Sequence, residues 1–284
     1  MHKGGADMAN IYNVNGDIIP INGGTGSASA PSIEYDRVAK GIAHRGYSDV
    51  APENTIPAFK LAKTNGFFYV ETDVQFTSDG VPVLLHDATI DGTSDGTGFI
   101  RDLTFEQVRQ YDFGSWKSAE YAGTKIPSFM EFITLCRDIV LHPYIEIKVA
   151  GITEEQARAL VDMTEEVGMK DKVTWISFYH AKLAYFVDYD PMARIGVLAN
   201  ALDASTAQNY IPVATGLLTG SNEVFIDTSS VTDEAAEICL NAGFPMEVWT
   251  VDNQSDIINA PAYITGFTSD NLVAEKVLYD ANMT

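Results

Sequence analysis

The sequence predicts an α/β protein, a (β/α)8 TIM barrel with a capping insertion after strand 2, and three observations carry that reading. From Gly41 onward short β-rich runs alternate with helical patterns, which is the form repeated βα units and a parallel sheet take in a sequence. Eight such runs can be counted, and eight strands of this kind close into a barrel with its active site at the C-terminal strand ends. A doubly wound open sheet is the fallback, yet no Gly-x-Gly-x-x-Gly follows a strand as a dinucleotide site requires.

Taken in order, residues Ile11 to Ile21 alternate apolar and polar around Asn15-Gly16, a two-residue hairpin signal, and Gly23 to Ser29 follows as a flexible linker. This assigns residues 1–36 to an appendage and 37–284 to the barrel. The appendage could pack on the barrel, pair with another chain in a homo-oligomer, or belong to a larger assembly. The strand runs are Gly41 to His44, Phe68 to Val74, Tyr144 to Val149, Val173 to Phe178, Arg194 to Leu198, Val224 to Thr228, Met246 to Val251 and Tyr263 to Phe267. Helix signals lie between them. Asn54 or Thr55 is an N-cap with Asn65-Gly66 as stop; Thr153-Glu154-Glu155 opens a helix ending near Gly168; Thr232-Asp233-Glu234 opens one ending at Gly243. From about Thr77 to Tyr121 the rhythm breaks. A turn at Ser78-Asp79-Gly80 leads into an extra strand, Val81 to His86, and then a Gly- and Asp-rich stretch, so this segment is expected to cap the site.

Composition narrows the function. At 284 residues with 46% hydrophobic content, the chain can bury a large core. No run of about 18 apolar residues is present to span a membrane, and the start lacks the apolar core of a secretory signal. A cytoplasmic location is therefore the expectation, with an extracellular or surface one left open. The 39 Asp and Glu against 18 Lys and Arg give a net charge of -21, which repels nucleic acid and anionic bilayers. A small anion is different, because distant charges are screened beyond about 10 Å and a local cation can hold one phosphodiester. Cys136 and Cys239 both fall in helical segments and read as buried free thiols.

Strand side chains alternate faces, so Glu71 and Asp73 share one face of their strand, and Glu146 and Lys148 share one of the next. Inside a barrel that face is inward, where clustered carboxylates repel each other unless a cation sits among them. Three oxygen-donor acids with room for water suit Ca2+ or Mg2+ better than zinc. His44 and His86 end strand runs beside this cluster and suggest a base and an acid. His2, His142 and His180 read as structural. Trp249 and Phe178 are candidates to line a pocket, with core packing an equal alternative. Glu53 and Asn54 are expected to shape a loop and cap a helix.

His44-Arg45-Gly46, Pro52-Glu53-Asn54-Thr55, Glu71-Thr72-Asp73-Val74, Thr77-Ser78-Asp79-Gly80 and Val83 to His86-Asp87 together resemble the glycerophosphodiester phosphodiesterase signature. Asp102-Leu103-Thr104, Asp112 to Trp116, Ile126 to Phe129, Glu146-Ile147-Lys148, Ser177-Phe178 and Val248 to Val251 follow in that family's order, so the resemblance runs over roughly residues 40 to 272. Near the last strand the family tends to carry Thr or Ser with Asn or Asp and then Pro, whereas this chain has Ile264 to Asn271. That difference concerns the loop after strand eight.

The resemblance implies a hydrolase of glycerol and lipid metabolism that cleaves small-molecule glycerophosphodiesters to an alcohol and sn-glycerol 3-phosphate. It implies His44 and His86 as general base and acid, Arg45 and Lys148 on the phosphate, and one divalent metal on Glu71, Asp73 and Glu146. Two alternatives stand beside it. One is a phospholipase D-like phosphodiesterase or lyase of the same barrel, disfavoured by the lack of an amphipathic membrane anchor. The other is a non-catalytic module that binds wall phosphodiesters in a surface or phage assembly, motivated by the N-terminal hairpin and opposed by the two histidines and three acids.

Overall fold

The computed structural model describes residues 11–12, 18–19 and 39–282. The chain divides into two units, Met1–Val38 and Ala39–Thr284. In the first, Ile11–Tyr12 pairs antiparallel with Ile18–Ile19, where the sequence reading puts a hairpin; its Asn15-Gly16 turn, the Gly23 to Ser29 linker and His2 lie outside the described residues.

In the second unit eight parallel strands form a closed ring: β1 (Lys40–Ala43), β2 (Tyr69–Phe76), β3 (His142–Ile147), β4 (Thr174–Ser177), β5 (Arg194–Leu202), β6 (Val224–Val231), β7 (Met246–Val248) and β8 (Ile264–Ser269). Each pairs with its successor, and β8 pairs with β1 through Phe267↔Gly41 and Thr268↔Ile42, which closes the barrel. A helix follows each strand: α1 (Ile56–Thr64), α2 (Phe129–Ile139), α3 (Glu154–Glu166), α4 (His180–Tyr189), α5 (Ala204–Gly216), α6 (Asp233–Asn241), α7 (Gln254–Asn259) and α8 (Ala274–Asn282). Their boundaries follow local chemistry. Ser128 with Glu131 and Thr153 with Gln156 make reciprocal capping boxes at α2 and α3, and Thr232 caps α6. Of the two cap candidates for α1, Thr55 takes the position, and Asn54 is turned elsewhere. Among the described residues no helix is long and apolar enough to cross a membrane.

Helices and outward strand faces share the main core, as where Phe59 meets Phe132 at 4.6 Å between ring centroids and Trp175 meets Phe186 at 4.5 Å. Cys136 and Cys239 are buried there as free thiols. The barrel interior is layered. Toward the N-terminal strand ends, Glu247 accepts from Lys40 Nζ (2.9 Å) and Tyr144 Oη (3.2 Å), and Arg194 binds Tyr144 and Glu223. Above lies an apolar layer of Ile42, Ile176, Leu198, Phe225 and the Tyr144 ring.

Between β2 and α2 the chain makes a long excursion with a small core of its own, Val83, Leu85, Ile90, Ile100, Val108, Phe113 and Ile126. The extra strand is shorter than its sequence reading: Pro82–Leu84 pairs antiparallel with β2, and His86 lies beyond the ladder. The reason is Gln75, whose side-chain amide donates to the carbonyls of His86 (3.0 Å) and Asp87 and turns the chain out of the sheet. β7 likewise stops at Val248 rather than Val251, although Trp249 N still donates to Thr228 O (3.1 Å) and Val251 N to Thr268 O (2.9 Å).

Gly196 of β5 tests the interior packing, because a Cβ there would lie 2.5 Å from Phe225 Cζ and 2.6 Å from Ile176 Cγ2. Gly196→Ala is expected to destabilise by about 1–3 kcal/mol, the usual cost of overpacking, read from urea unfolding midpoints. A variant as stable as the parent would contradict the layer described.

Candidate active site

At the C-terminal mouth of the barrel a cavity of about 120 Å3 is lined by His44, Arg45, Glu71, His86, Glu146, Lys148, Ile176, Phe178, Leu198, Asp227, Trp249 and Thr268. A larger groove of about 430 Å3 lies elsewhere, among Tyr47, Gln254, Ile258 and α8, and shares none of these side chains. The chemistry is therefore assigned to the smaller cavity.

Register builds the acidic wall. Asp73 of β2 sits beside Glu146 of β3, and Glu71 beside Tyr144, so the alternation of each strand turns all three carboxylates inward. They are buried, and one oxygen of each lies within 4.8 Å of the others, a group able to hold a metal ion. The donor set is all oxygen, and the mutual repulsion of three acids in a low-dielectric interior is what a divalent cation relieves. Burial, then the charges of Asp73 and Glu146, push Glu71 well above the usual carboxylate range. Burial, then Asp73, push Glu146 up to about 7 despite Lys148. Asp73 goes the other way. Burial alone would raise it, but Arg45 and Lys148 hold it below the usual range, helped by His86 and the Asn54 amide.

Those cations are placed by short contacts. Arg45 Nε is 3.4 Å from Asp73 Oδ2 and its Nη1 donates to Glu53 Oε1 at 2.8 Å. Lys148 Nζ lies 3.1 Å from Glu146 Oε1 and 3.6 Å from Asp73 Oδ1. Arg45 carries φ 53 and Asn54 φ 55, left-handed conformations unusual for such residues and tolerated where surrounding bonds fix them. At Arg45 this geometry sends the backbone N–H onto Glu71 Oε2 at 3.0 Å. Asn54 Nδ2 donates to Asp73 Oδ2 (2.8 Å) while its Oδ1 accepts from the Thr72 hydroxyl (2.7 Å). Asn54 thus orients a carboxylate rather than capping a helix.

The imidazoles face the same cavity from two loops. His44 follows β1 and its Nε2 is 4.0 Å from Glu71 Oε2; its Nδ1 donates to Asp270 Oδ1 at 2.7 Å. Asp270 is itself held by Ser48 Oγ (2.9 Å) and, through its backbone N–H, by Asp252 (2.8 Å). Against burial, the His44 hydrogen bond keeps Asp270 below the usual carboxylate range. His86 Nδ1 donates to Asp87 Oδ1 at 2.7 Å, the same arrangement built from adjacent residues. In each case Nε2 is left for a ligand.

Every candidate from the sequence except Asp73, which sits just behind, lines this cavity. Phe178 and Trp249 form its aromatic side, 5.8 Å apart and edge to face. His142 opens β3 beside Tyr69 (5.5 Å), and His180 Nε2 donates to Leu198 O (2.7 Å), so neither lines the cavity. Sequence reasoning missed Asp270, Asn54 as an orienting group, and Asp227. Asp227 is 2% exposed, and burial together with the charges of Glu247 and Glu146 pushes it well above the usual range.

Residues 44–274 match the model of the glycerophosphoryl diester phosphodiesterase family. The chain is 33% identical over 221 residues to a glycerophosphodiester phosphodiesterase of Caldanaerobacter subterraneus subsp. tengcongensis, covering 76% of this chain and 87% of that one. It is 42% identical over 133 residues to human glycerophosphodiester phosphodiesterase 1, covering 46% of this chain and 39% of the human protein. Among solved structures it superposes on a phosphodiesterase from Oleispira antarctica in complex with the product sn-glycerol-3-phosphate, with TM-score 0.74, 26% identity, and coverage of 88% of this chain and 99% of that one.

The raised carboxyls make ion binding and stability depend on pH, and the sign follows from which state holds the proton. In ion-free protein Glu146 keeps its proton up to about 7 against an ordinary 4.5, so the folded state binds more protons than the unfolded one across that window. Chelated protein should therefore lose stability as pH rises from about 4.5 to about 7, and a bound ion should abolish that loss. Calorimetry of Mg2+ or Ca2+ binding should show protons released and affinity rising over the same window; affinity independent of pH would contradict the raised carboxyls.

Proposed function

The chain belongs to the glycerophosphoryl diester phosphodiesterase family, and from that premise we propose that it hydrolyses glycerophosphodiesters to an alcohol and sn-glycerol 3-phosphate in a metal-dependent reaction. The observation that carries this reading is the convergence of His44, His86, Arg45, Lys148, Glu71 and Glu146 on one cavity, with Asp73 behind. Glu71, Asp73 and Glu146 would hold one Ca2+ or Mg2+, and a bound divalent ion supplies Lewis-acid polarisation of the phosphoryl oxygens.

This chain's own residues do the rest. Arg45 and Lys148 bind the phosphate and offset the charge that grows on its oxygens as the new bond forms. His44 acts as general base through Nε2, taking the proton of the attacking oxygen, either water itself or a glycerol hydroxyl whose cyclic phosphate water then opens, because Asp270 occupies Nδ1 and stabilises the imidazolium that results. His86, oriented by Asp87, gives a proton to the departing alkoxide. Each positioned proton transfer contributes about 10²–10⁴-fold. Phe178 and Trp249 form the aromatic side of the cavity against which the substrate packs.

Glycerophosphocholine turnover with and without chelator is the direct test. His44→Ala and Glu71→Ala should both nearly abolish turnover, and Glu71→Ala alone should also lose the ion by equilibrium dialysis. Turnover that survives complete chelation would overturn the metal assignment, and no turnover of any glycerophosphodiester would overturn the reaction.

Asp270→Ala probes the base separately. Loss of an orienting partner of this kind typically costs about 10–100-fold, so kcat should fall by roughly that factor with little change in KM or in ion affinity. An unchanged kcat would remove Asp270 from the machinery.

A further inference from the structure

Ser48, in the loop after β1, is held from two sides. Its hydroxyl donates to Asp270 Oδ1 (2.9 Å), the same oxygen that accepts from His44 Nδ1 (2.7 Å). Its carbonyl accepts from Lys117 Nζ at 2.6 Å, a bond that spans 69 positions and joins the excursion between β2 and α2 to the loop after β1. No backbone N–H among the described residues bonds that carbonyl, so the lysine supplies its donor.

The turn that carries Lys117 is tied down within the excursion. Asp112 Oδ1 accepts from the amides of Gly114 (2.7 Å) and Ser115 (3.1 Å), Lys117 N donates to Gly114 O (3.0 Å), and Trp116 Nε1 donates to Phe113 O (3.0 Å). Phe113 is buried in the excursion's own small core. A Cβ at Gly114 would lie 1.8 Å from Tyr121 O, so the turn admits no bulkier residue at that point. The ammonium also stands 5.8 Å from the Trp116 ring centroid, within cation–π range. Lysine has more rotamer freedom to lose than most side chains, and here its platform presents it in one direction.

We propose that Lys117 is a positioning residue for His44, bracing the imidazole through Ser48 and Asp270. The excursion then sets both imidazoles, since it carries His86 with Asp87 directly and fixes His44 across this relay. The margin is narrow. A hydrogen bond of this kind is lost beyond about 3.5 Å, so a displacement of the Ser48 backbone by less than about 1 Å is enough to release Asp270. The proposal rests on the phosphodiesterase reading only in calling His44 the base; the relay itself concerns where the ring points.

The test uses the full chain in saturating Mg2+ or Ca2+, with Lys117→Met, which keeps the aliphatic stem and loses the donor, and Lys117→Arg, which keeps a donor. The first readout needs no turnover: proton and nitrogen NMR of the His44 ring, assigned by its loss in His44→Ala. The proton on Nδ1 should exchange with water about tenfold faster or more in Lys117→Met than in the parent, and near the parent rate in Lys117→Arg. The second readout is glycerophosphocholine turnover. Lys117→Met should lower kcat by about 3–10-fold, less than Asp270→Ala because it acts at one remove, with KM and ion affinity unchanged. In an Asp270→Ala background the same substitution should cost nothing further, because the relay is already cut. Exchange at the parent rate in Lys117→Met, or a kcat loss of equal size with and without Asp270, would overturn the relay. Absence of turnover in the parent would overturn the reaction, and the exchange rates would still decide whether Lys117 positions His44.

Discussion

Three carboxylates held within 4.8 Å of one another inside a barrel are the constraint to which the rest of the mouth answers. Each would rather be in water or protonated, and the register of β2 on β3 closes the first escape. The surroundings respond in graded fashion. Asp73, touched by Arg45, Lys148 and the Asn54 amide, stays anionic, whereas Glu71 and Glu146, with fewer cationic neighbours, are driven toward the neutral form. The result is a site whose negative charge is incompletely neutralised by protein, which is the electrostatic condition for a bound cation rather than for a closed salt-bridge cluster.

The opposite end of the barrel treats the same problem differently. Glu247 is as buried as Asp73, but Lys40, Arg194 and Tyr144 surround its Oε1, and Arg194 is in turn shared with Glu223. That network sits where barrels carry stability rather than chemistry. The apolar layer of Ile42, Ile176, Leu198 and Phe225 keeps the two charged layers apart. Asp227, level with Leu198 of this layer, lines the upper cavity, and its Oδ1, like Glu247 Oε2, has no hydrogen-bond partner.

Much of this was legible in the residue order because it depends on short-range periodicity. Glu71 and Asp73 are two apart, Glu146 and Lys148 are two apart, and strand alternation fixes their faces before any fold is known. The eight strand runs were legible for the same reason, whereas the end of the extra strand was displaced because Gln75 replaces the ladder there. Asp270 was not legible: it reaches His44 across 226 positions, through barrel closure, and the loop around it departs from the family pattern. Asn54 was read as a cap because Asn favours that role, whereas its left-handed backbone points the amide at Asp73. Asp227 is one acid in a β-rich run, and only the absence of a partner in three dimensions distinguishes it.

The seam between β8 and β1 has a consequence for how activity is acquired during synthesis. His44 donates its backbone N–H to Ser269 O at 2.9 Å, and its imidazole is steadied by the next residue, Asp270. A nascent chain therefore carries the signature-bearing first half long before the partner of His44 exists. Contacts of such sequence separation are slow to form and must await the loss of chain entropy that local pairings do not require. Both partners of His44 thus arrive only with the last βα unit, so the histidine is held in place only once the barrel has closed.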